Sequence, residues 1–274
     1  MATLGKIVGL VKASATRPTK LMGVNNSSLA RFMGVGLGVQ ATGGTITYSG
    51  SYTIHKFTAD GTLAVNTGGG QASGDVEYLV VGGGGGSSGG VAAVSYAPGA
   101  AGGVVRSGTG LACVPPSYTV TVGAGGAAIL TPAGGNGGSS IFSTITATGG
   151  NGSDLTRTGA ANADHSGEVG ASENYTGGGG AGSGENGGTD GASEGGDGTA
   201  SSITGSSEYY GGGGGSVKVE TAKAGGLGGG GAGAVHPAVG VSGTANTGGG
   251  GGGGGSINGG GSGGSGIVII RYLT

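Results

Sequence analysis

Apolar and polar residues alternate in several short stretches between residues 41 and 148. β-Branched and aromatic residues fill these stretches, which is typical of β-strands. The predicted strands are Thr45–Tyr48, Tyr52–Phe57, Thr62–Val65, Tyr78–Val81, Tyr118–Val122 and Ile141–Thr148. Asp60-Gly61 stands between the second and the third of them and predicts a hairpin turn, because such pairs readily adopt the backbone angles of tight turns.

Ile267–Ile270 is apolar without alternation, a pattern that favours a strand covered on both faces. We expect this strand to lie beside Tyr78–Val81. The two strands would then bring together the ends of the long segment between them.

Residues 1–40 carry a different pattern. The apolar residues between Leu4 and Val11 have helix-like spacing, but Gly5 and Gly9 disfavour a helix there. We interpret residues 1–40 as an extended or partly helical segment that attaches to a partner surface. A frayed chain end is the alternative.

Glycine dominates from residue 75 onward, and 80 of the 274 residues are glycine. Five runs stand out, namely Gly82–Gly86, Gly177–Gly180, Gly211–Gly215, Gly228–Gly231 and Gly248–Gly255. The predicted loops between them are Ser87–Ala101, Asn151–Thr176, Glu185–Tyr210, Ser216–Ala224 and Ala232–Thr247. Six prolines and the lack of a Gly-X-Y period exclude a collagen helix. A flexible spacer is the simpler interpretation of such runs, but strong strand-forming stretches flank them.

Bare backbone can itself be the building unit of such a region. A polyproline-II-type helix has three residues per turn and no internal hydrogen bonds. Because glycine lacks a Cβ, helices of glycine can approach closely and bond to one another, which pairs their buried backbone groups. The glycines expected to form this scaffold include Gly82, Gly84, Gly178, Gly213, Gly229, Gly251 and Gly253.

The sequence therefore predicts a mainly β protein with packed polyglycine-II helices. It has three predicted parts. Residues 1–40 form an attachment segment, and residues 41–81 form a small antiparallel β region. Residues 82–274 form a glycine-rich domain of polyglycine-II helices and strands with long loops.

Charge is sparse and unevenly placed. Residues 1–31 hold five basic groups and no acid, whereas residues 151–220 hold ten of the thirteen acids. The basic end suits an acidic partner surface, but five dispersed cations without stacking aromatics do not predict a nucleic-acid site. Cys113 is the single cysteine, so an internal disulfide is excluded. No stretch reaches the roughly 20 apolar residues of a membrane span or resembles the core of a signal peptide.

Candidate chemistry is weak along the chain. Asp190, Glu194 and Asp197 could bind a hard cation, but acids in loops are usually solvated, and we predict neither a metal site nor a cofactor. Asp164 and His165 lie beside a serine in one glycine-rich loop, whereas catalytic groups are normally brought together by a rigid scaffold. We therefore predict no catalytic residue and no enzymatic activity.

Six motifs follow one another in order within residues 50–274. They are Tyr78–Gly86, Ala101–Val105, Tyr118–Gly126, Gly134–Ser140, Ala147–Gly150 and Gly264–Tyr272. Together they resemble the glycine-rich domain of bacteriophage tail-fibre and virion-appendage proteins. The plan of glycine runs with intervening loops is also similar to that of the long-tail-fibre adhesins of T-even-like phages, in which packed polyglycine-II helices present variable loops to the bacterial surface.

The resemblance implies a non-enzymatic virion protein, a tail fibre or adhesin that recognises a host glycan or an outer-membrane protein. Such a protein is made in the host cytoplasm and acts on the extracellular particle, to which residues 1–40 would attach through other virion proteins. A capsid decoration or head fibre with a structural role is the alternative, and a glycine-rich filament is a weaker one. Homotrimers are common among such appendages, although nothing in the sequence predicts a coiled coil.

Four tyrosines lie beside glycine runs rather than in predicted strands, at Tyr96, Tyr175, Tyr209 and Tyr210. Tyrosine combines an apolar ring with a hydroxyl, which suits the binding of sugars and protein loops. Together with Asp164 and His165, these tyrosines are the candidate receptor-binding residues. The alternative is that their rings cover the exposed ends of the glycine runs.

Overall fold

The architecture is all β. A computed structural model describes residues 20–21, 24–25, 39–67, 75–89, 97–130, 133–170, 176–218, 220–255 and 259–273. Within these ranges there are sixteen strands and no helix. The strands are β1 (Lys20–Leu21), β2 (Val24–Asn25), β3 (Gln40–Thr42), β4 (Thr45–Ser49), β5 (Tyr52–Phe57), β6 (Gly61–Thr67), β7 (Asp75–Val81), β8 (Val105–Ala112), β9 (Ser117–Thr121), β10 (Ser140–Phe142), β11 (Ile145–Ala147), β12 (Thr199–Ser201), β13 (Glu208–Tyr210), β14 (Val217–Lys218), β15 (Thr221–Ala222) and β16 (Ile267–Leu273).

Two antiparallel five-stranded sheets organise the strands. The central sheet has the order β4-β5-β16-β7-β8, and the flanking sheet has the order β11-β10-β9-β6-β3. Three two-stranded ribbons, β1-β2, β12-β13 and β14-β15, complete the pairing. The ribbons β12-β13 and β14-β15 lie within the glycine-rich part of the chain, between residues 199 and 222.

Strand β16 confirms the prediction made for the apolar stretch near residue 270. It pairs antiparallel with β7, with Ile267 opposite Val81, and with β5 on its other side. Val268 and Ile270 face the flanking sheet, while Ile269 faces the opposite side of the central sheet. The strand is therefore covered on both faces, which explains why its sequence lacks alternation.

The predicted hairpin at Asp60-Gly61 is wrong. Strand β5 pairs with β4 and β16, whereas β6 pairs with β3 and β9, so the chain passes from the central sheet to the flanking sheet at this point. Phe57 and Leu63 lie in one buried cluster between the two sheets. Burial of both side chains in this cluster is favourable, because it removes apolar surface from water. The Asp60 carboxylate accepts a hydrogen bond from the Val122 N–H, at 2.8 Å, which fixes the crossing.

Two further strand predictions need correction. The stretch Ile141–Thr148 is a hairpin of β10 and β11, which turns at Ser143 with a φ of 55°. Strand β8 is not among the predicted strands. It contains glycines and an arginine, so it lacks the clear alternation of its neighbours.

The predicted division into three parts stays a prediction. Most of residues 1–40, including the expected helix-like stretch, lies outside the described residues. Both five-stranded sheets combine strands from residues 41–81 with strands from residues 82–274.

The glycine runs lie side by side and bond to one another through their backbones. In the first run, N–H groups three residues apart point to the same neighbouring segment. Gly82 and Gly85 donate to Val104 and Ala101, Gly83 and Gly86 donate to Gly138 and Gly135, and Gly84 and Ser87 donate to Gly264 and Gly261. The carbonyl groups of the same run accept bonds from three other segments, at Gly126, Gly150 and Gly251. The run is thus bonded to six segments, and it is not a spacer.

The longest run repeats this arrangement. The carbonyls of Gly248, Gly251 and Gly254 accept from the N–H groups of Gly103, Ala100 and Ala97, in steps of three residues. The acceptor and donor numbers run in opposite directions, so the two segments are antiparallel. Most amides of these runs bond to a carbonyl on a distant part of the chain, which satisfies buried backbone groups without a side-chain core.

The sequence predicts a loop at Ser87–Ala101, but residues 97–101 at its end are buried in the glycine array. They form a buried run that bonds to the segments around Gly178, Gly251 and Asn151. The methyl group of Ala101 packs with those of Ala160 and Ala181 in a small buried cluster. Alanine can therefore take the place of glycine in a run where its methyl group packs against the methyl groups of neighbouring segments.

The scaffold glycines have no such space. A Cβ built on Gly82, Gly84, Gly178, Gly213, Gly251 or Gly253 would overlap the carbonyl oxygen of a neighbouring run. Gly229 differs, because its φ of 89° is in the left-handed region and a Cβ would meet the Thr247 side chain. The close approach of a neighbouring backbone explains why glycine is needed at the first six positions. At Gly229 the left-handed backbone conformation favours glycine as well.

Candidate functional site

Three loop-bearing segments are joined by hydrogen bonds, and together we call them the loop surface. They comprise residues 161–168, 184–194 and 197–210. Backbone and side-chain hydrogen bonds join them, since Gly187 N donates to Ser166 O and Asp197 N donates to the Glu185 carboxylate at 2.9 Å. Ser183, which directly precedes the second loop, bonds through its hydroxyl to Thr199 and to the Tyr210 carbonyl of the third loop.

Asn162 holds the turn that carries Asp164 and His165. Its side-chain oxygen accepts from the N–H groups of both residues, at 3.0 and 2.8 Å. Its side-chain nitrogen donates to the carbonyls of Gly102 and Gly182, at 3.2 and 2.9 Å. The turn is thus anchored directly to the glycine runs. Asparagine is a common turn residue because its side chain bonds to nearby backbone, and this was the available sequence signal for Asn162.

Asp164 forms a two-pronged ion pair with Arg106 at the start of β8. The two nitrogen–oxygen distances are 2.6 and 2.9 Å. Hydrogen bonding from Arg106 lowers the pKa of Asp164, so this carboxylate is charged at neutral pH. Both side chains remain about one-third exposed or more, and exposed pairs are worth little in stability.

His165 is half-buried beside Asp164. Within the described part of the chain, its Nδ1 atom is buried and has no hydrogen-bond partner. The next residue, Ser166, directs its hydroxyl to the Asn186 side chain.

The two adjacent tyrosines of β13 have opposite environments. Tyr209 is 43% exposed on the loop surface, whereas Tyr210 is 3% exposed and packs against the central sheet with Ile203. The Tyr210 hydroxyl donates to the Glu208 carboxylate at 2.8 Å, and burial raises the pKa of that hydroxyl. Tyr210 is therefore a packing residue and not an accessible binding residue, because successive side chains of a strand point to opposite faces.

The other two candidate tyrosines, Tyr96 and Tyr175, lie outside the described residues. Receptor binding by Tyr209, Asp164 and His165 stays a prediction. These three side chains all lie on the loop surface.

The acidic side chains that lie close together are not the three that the sequence suggested, Asp190, Glu194 and Asp197. The carboxylate oxygens that lie within 4.8 Å of one another belong to Glu185, Asp190 and Asp197. Glu194 instead faces the Lys223 ammonium group at 3.5 Å. Asp197 also accepts a hydrogen bond from Leu227 N at 2.6 Å, which holds its carboxylate in place. These acids give the loop surface a negative character.

Glu168 was not predicted as a binding residue, and its role is to order the loops. Its carboxylate accepts from Ser193 N at 2.6 Å and from Gly179 N at 3.2 Å. It thereby ties the second loop to a glycine run. A shallow polar groove of about 240 Å³ lies nearby, lined by residues 151–154, Thr156 and residues 158–161.

Membrane insertion through a helix has no support in the described ranges, where no helix is long and apolar enough to cross a bilayer. Comparison with known proteins gave one family. The model of the family described as glycine-rich domain matches residues 58–273. No curated protein matches the chain. The matched residues include the loop surface and all five glycine runs.

Proposed function

The chain belongs to the glycine-rich domain family, and on this premise we propose that it is a non-enzymatic bacteriophage structural protein. In this proposal it is a tail fibre or adhesin whose loop surface contacts a glycan or an outer-membrane protein of the host. Residues 1–40 attach it to other virion proteins. The protein is made in the host cytoplasm and acts on the extracellular virion.

We further propose that the glycine runs are polyglycine-II helices. A polyproline-II-type helix has three residues per turn, and the donors of the first run change neighbour with a three-residue repeat. Bonding of one run to six other segments is what a packed array of such helices requires. Measurement of the φ and ψ angles in a high-resolution experimental structure tests this point, and angles far from about −75° and +145° would overturn it.

The observation that carries the adhesin proposal is the anchoring of exposed loops to a rigid backbone array. Asn162 bonds to carbonyls of two glycine-rich segments, and Glu168 bonds to the N–H of Gly179. Loops held in this way lose little further freedom on binding, and such preorganisation raises affinity. A polar, ordered and exposed surface suits recognition of a hydrated cell surface.

The exposed chemistry favours a polar receptor. Tyr209 offers a ring face with a hydroxyl, and Asp164 offers a charged hydrogen-bond acceptor. Tyrosine on a glycine- and serine-rich surface is a recurring means of recognition because it adds contact area at low entropic cost. Sugar hydroxyls and basic protein loops both complement this surface.

The test is binding of the purified chain to a panel of bacterial strains. We expect saturable binding to a few strains, at least about tenfold weaker after Tyr209→Ala or Asp164→Ala, in line with residues central to an interface. Ile129→Ala is the matched control, because Ile129 is 42% exposed and lies outside the loop surface. Circular dichroism establishes that each variant is folded.

Point substitutions are preferable to deletion of residues 151–176. The amides and carbonyls of Asn151, Ser153 and Ala160 bond within the array, so a deletion would break it. Lack of binding to a panel that includes the host of the phage would contradict the adhesin proposal and favour a capsid decoration. Equal loss of binding in the Ile129→Ala control would show that the effect does not come from the loop surface.

A further inference from the structure

Strand β4 is an open edge of the central sheet. It pairs with β5 along one side, and no other strand of the described residues pairs with it. Thr45, Ile46, Thr47 and Tyr48 are all exposed, and Tyr48 is 76% exposed. The strand has no charge, no proline and no bulge in its pairing with β5. Natural proteins usually protect an edge with one of these features, because a bare edge is a template for another strand.

The register of the β4-β5 hairpin shows which backbone groups point outward. Ser49 lies opposite Tyr52 across the two-residue turn Gly50-Ser51, so this pair is the hydrogen-bonded pair that closes the hairpin. Hydrogen-bonded and non-hydrogen-bonded pairs alternate along antiparallel strands. Thr47 therefore bonds to β5, whereas the N–H and C=O groups of Ile46 and Tyr48 point away from it.

The outward side of β4 is complementary to itself. Residues on either side of Thr47 match in chemistry, since Ile46 and Tyr48 are apolar and Thr45 and Ser49 carry hydroxyls. An antiparallel copy related by a twofold axis at Thr47 would place Ile46 opposite Tyr48 of the second copy. These are the residues with outward backbone groups, so two hydrogen-bonded pairs form in register.

We propose that β4 pairs with β4 of a second copy of this chain across a twofold axis at Thr47, which joins the two central sheets into one continuous sheet. The side chains agree with this register. Ile46 meets the Tyr48 ring of the second copy on one face, and the two Thr47 side chains meet at the axis on the other. Pairs of aromatic with β-branched residues and of threonine with threonine are favourable across strands.

A second copy fits this edge better than an unrelated strand for two reasons. The match about Thr47 is a property of identical strands, and a contact through one patch shared by both partners closes as a dimer. Strand β4 has no charged side chain to repel its own copy. The chain's own residues 1–38 are the other occupant that the test must distinguish.

The experiment uses the full chain, and it measures mass by light scattering and association by sedimentation. We expect a reversible dimer. Thr47→Lys and Thr47→Glu should each weaken the dimer by about tenfold or more, because both place like charges opposite each other at the axis. An equimolar mixture of the two variants should restore the dimer, since opposite charges then meet. This rescue cannot be produced by misfolded protein.

Two further variants sharpen the result. Ile46→Pro removes an outward N–H but no bond to β5, so it should weaken the dimer while the chain stays folded. Thr109→Lys is the matched control, because Thr109 is exposed on β8, the opposite edge of the same sheet. It should leave the dimer unchanged.

A monomer at all concentrations would overturn the proposal and would agree with residues 1–38 covering the edge. A trimer would overturn it as well, because a threefold axis cannot pair a strand with its own copy. A dimer that persists in Thr47→Lys and Thr47→Glu, or that Thr109→Lys dissociates equally, would place the contact elsewhere and also overturn it.

Discussion

At the scale of single residues, His55 shows how the region before β4 is joined to the central sheet. Its side chain is fully buried, with Nδ1 2.8 Å from the Gly43 carbonyl and Nε2 3.1 Å from the Tyr272 hydroxyl. The same hydroxyl accepts a bond from the Ala41 N–H at 3.0 Å. The neutral ring with its proton on Nδ1 satisfies this network, since Nδ1 donates to Gly43 and Nε2 accepts from Tyr272.

Protonation of His55 would place a second N–H against the Tyr272 hydroxyl. Burial lowers the pKa of His55, and the bond to the Gly43 carbonyl opposes that shift only in part. The unfolded chain binds this proton at its ordinary pKa, about 6.5. The folded chain binds it only at a lower pH, because its pKa is lowered. The stability contributed by the neutral ring is therefore complete above about pH 6.5, and it is lost as the pH falls toward the lower folded-state pKa.

We expect the free energy of unfolding to fall below about pH 6.5 with a slope of up to about 1.4 kcal/mol per pH unit from this residue. His55→Gln should flatten the slope, because glutamine does not titrate in this range. His236→Gln, at an exposed position, should leave it unchanged. Denaturant unfolding between pH 5 and pH 8 measures the slope, and an identical slope in His55→Gln would contradict the assignment.

At the scale of elements, a glycine run depends on the carbonyls of the runs around it. A Cβ on Gly251 would overlap the backbone of Gly261, whereas the nearest atom to a Cβ on Gly138 is 3.1 Å away, at Ala124 N. The two positions lie in the same array, but they leave very different amounts of space for a Cβ. The packed backbone has no flexible side chain that could move aside at Gly251.

Gly251→Ala should therefore destabilise the protein by about 3 kcal/mol, the upper part of the range for overpacked cores. Gly138→Ala should cost about 1 kcal/mol or less, because its neighbour must shift by only a few tenths of an ångström. Thermal and denaturant unfolding of both variants compares the two costs. Equal costs would mean that the runs are not closely packed against one another.

The elements that could be predicted are those whose signal is local. The β5 prediction has the observed boundaries, and the apolar stretch Ile267–Ile270 lies beside Tyr78–Val81 as expected. The sequence does not reveal the buried run at residues 97–101, because alanine replaces glycine at most of its positions. Its hydrogen-bond partners also lie far away in sequence. Adjacent Tyr209 and Tyr210 look alike in sequence, and the fold alone decides which one faces Ile203.

The candidate site was predictable in part for the same reason. Asp164 and His165 lie on a loop, as their polar and glycine-rich surroundings indicated, whereas Tyr209 lies in strand β13 and not outside the strands as expected. The ion pair with Arg106 and the anchoring by Asn162 depend on contacts across 58 and 60 residues of sequence, respectively. No local pattern contains such contacts.

At the scale of the whole molecule, the interior combines two kinds of core. Apolar side chains fill the space on both faces of the central sheet, whereas backbone groups fill the array of glycine runs. Unfolding exposes peptide groups from the array and apolar side chains from the sheets. Exposure of apolar surface raises the heat capacity, and exposure of polar surface lowers it.

We expect a heat-capacity change of unfolding well below that of an ordinary protein of this length. For 274 residues the usual value is about 3.3–4.1 kcal/mol/K. The reduced value follows from the large share of peptide groups in the interior, and differential scanning calorimetry measures it. A value within the usual range would indicate that the glycine array contributes little to the cooperative unit.

The position of β16 has a consequence for biosynthesis. Its residue Arg271 pairs with Glu77 of β7, 194 residues earlier in the chain, and the strand fills the gap between β5 and β7. At ribosomal rates of about 5–20 residues per second, roughly 10–40 s pass between the synthesis of these partners. The central sheet therefore cannot close before the long glycine-rich segment between β7 and β16 has been made. Until then the apolar residues of β5 and β7 that pack beside β16, among them Ile54, Leu79 and Val81, stay uncovered and open to chaperones.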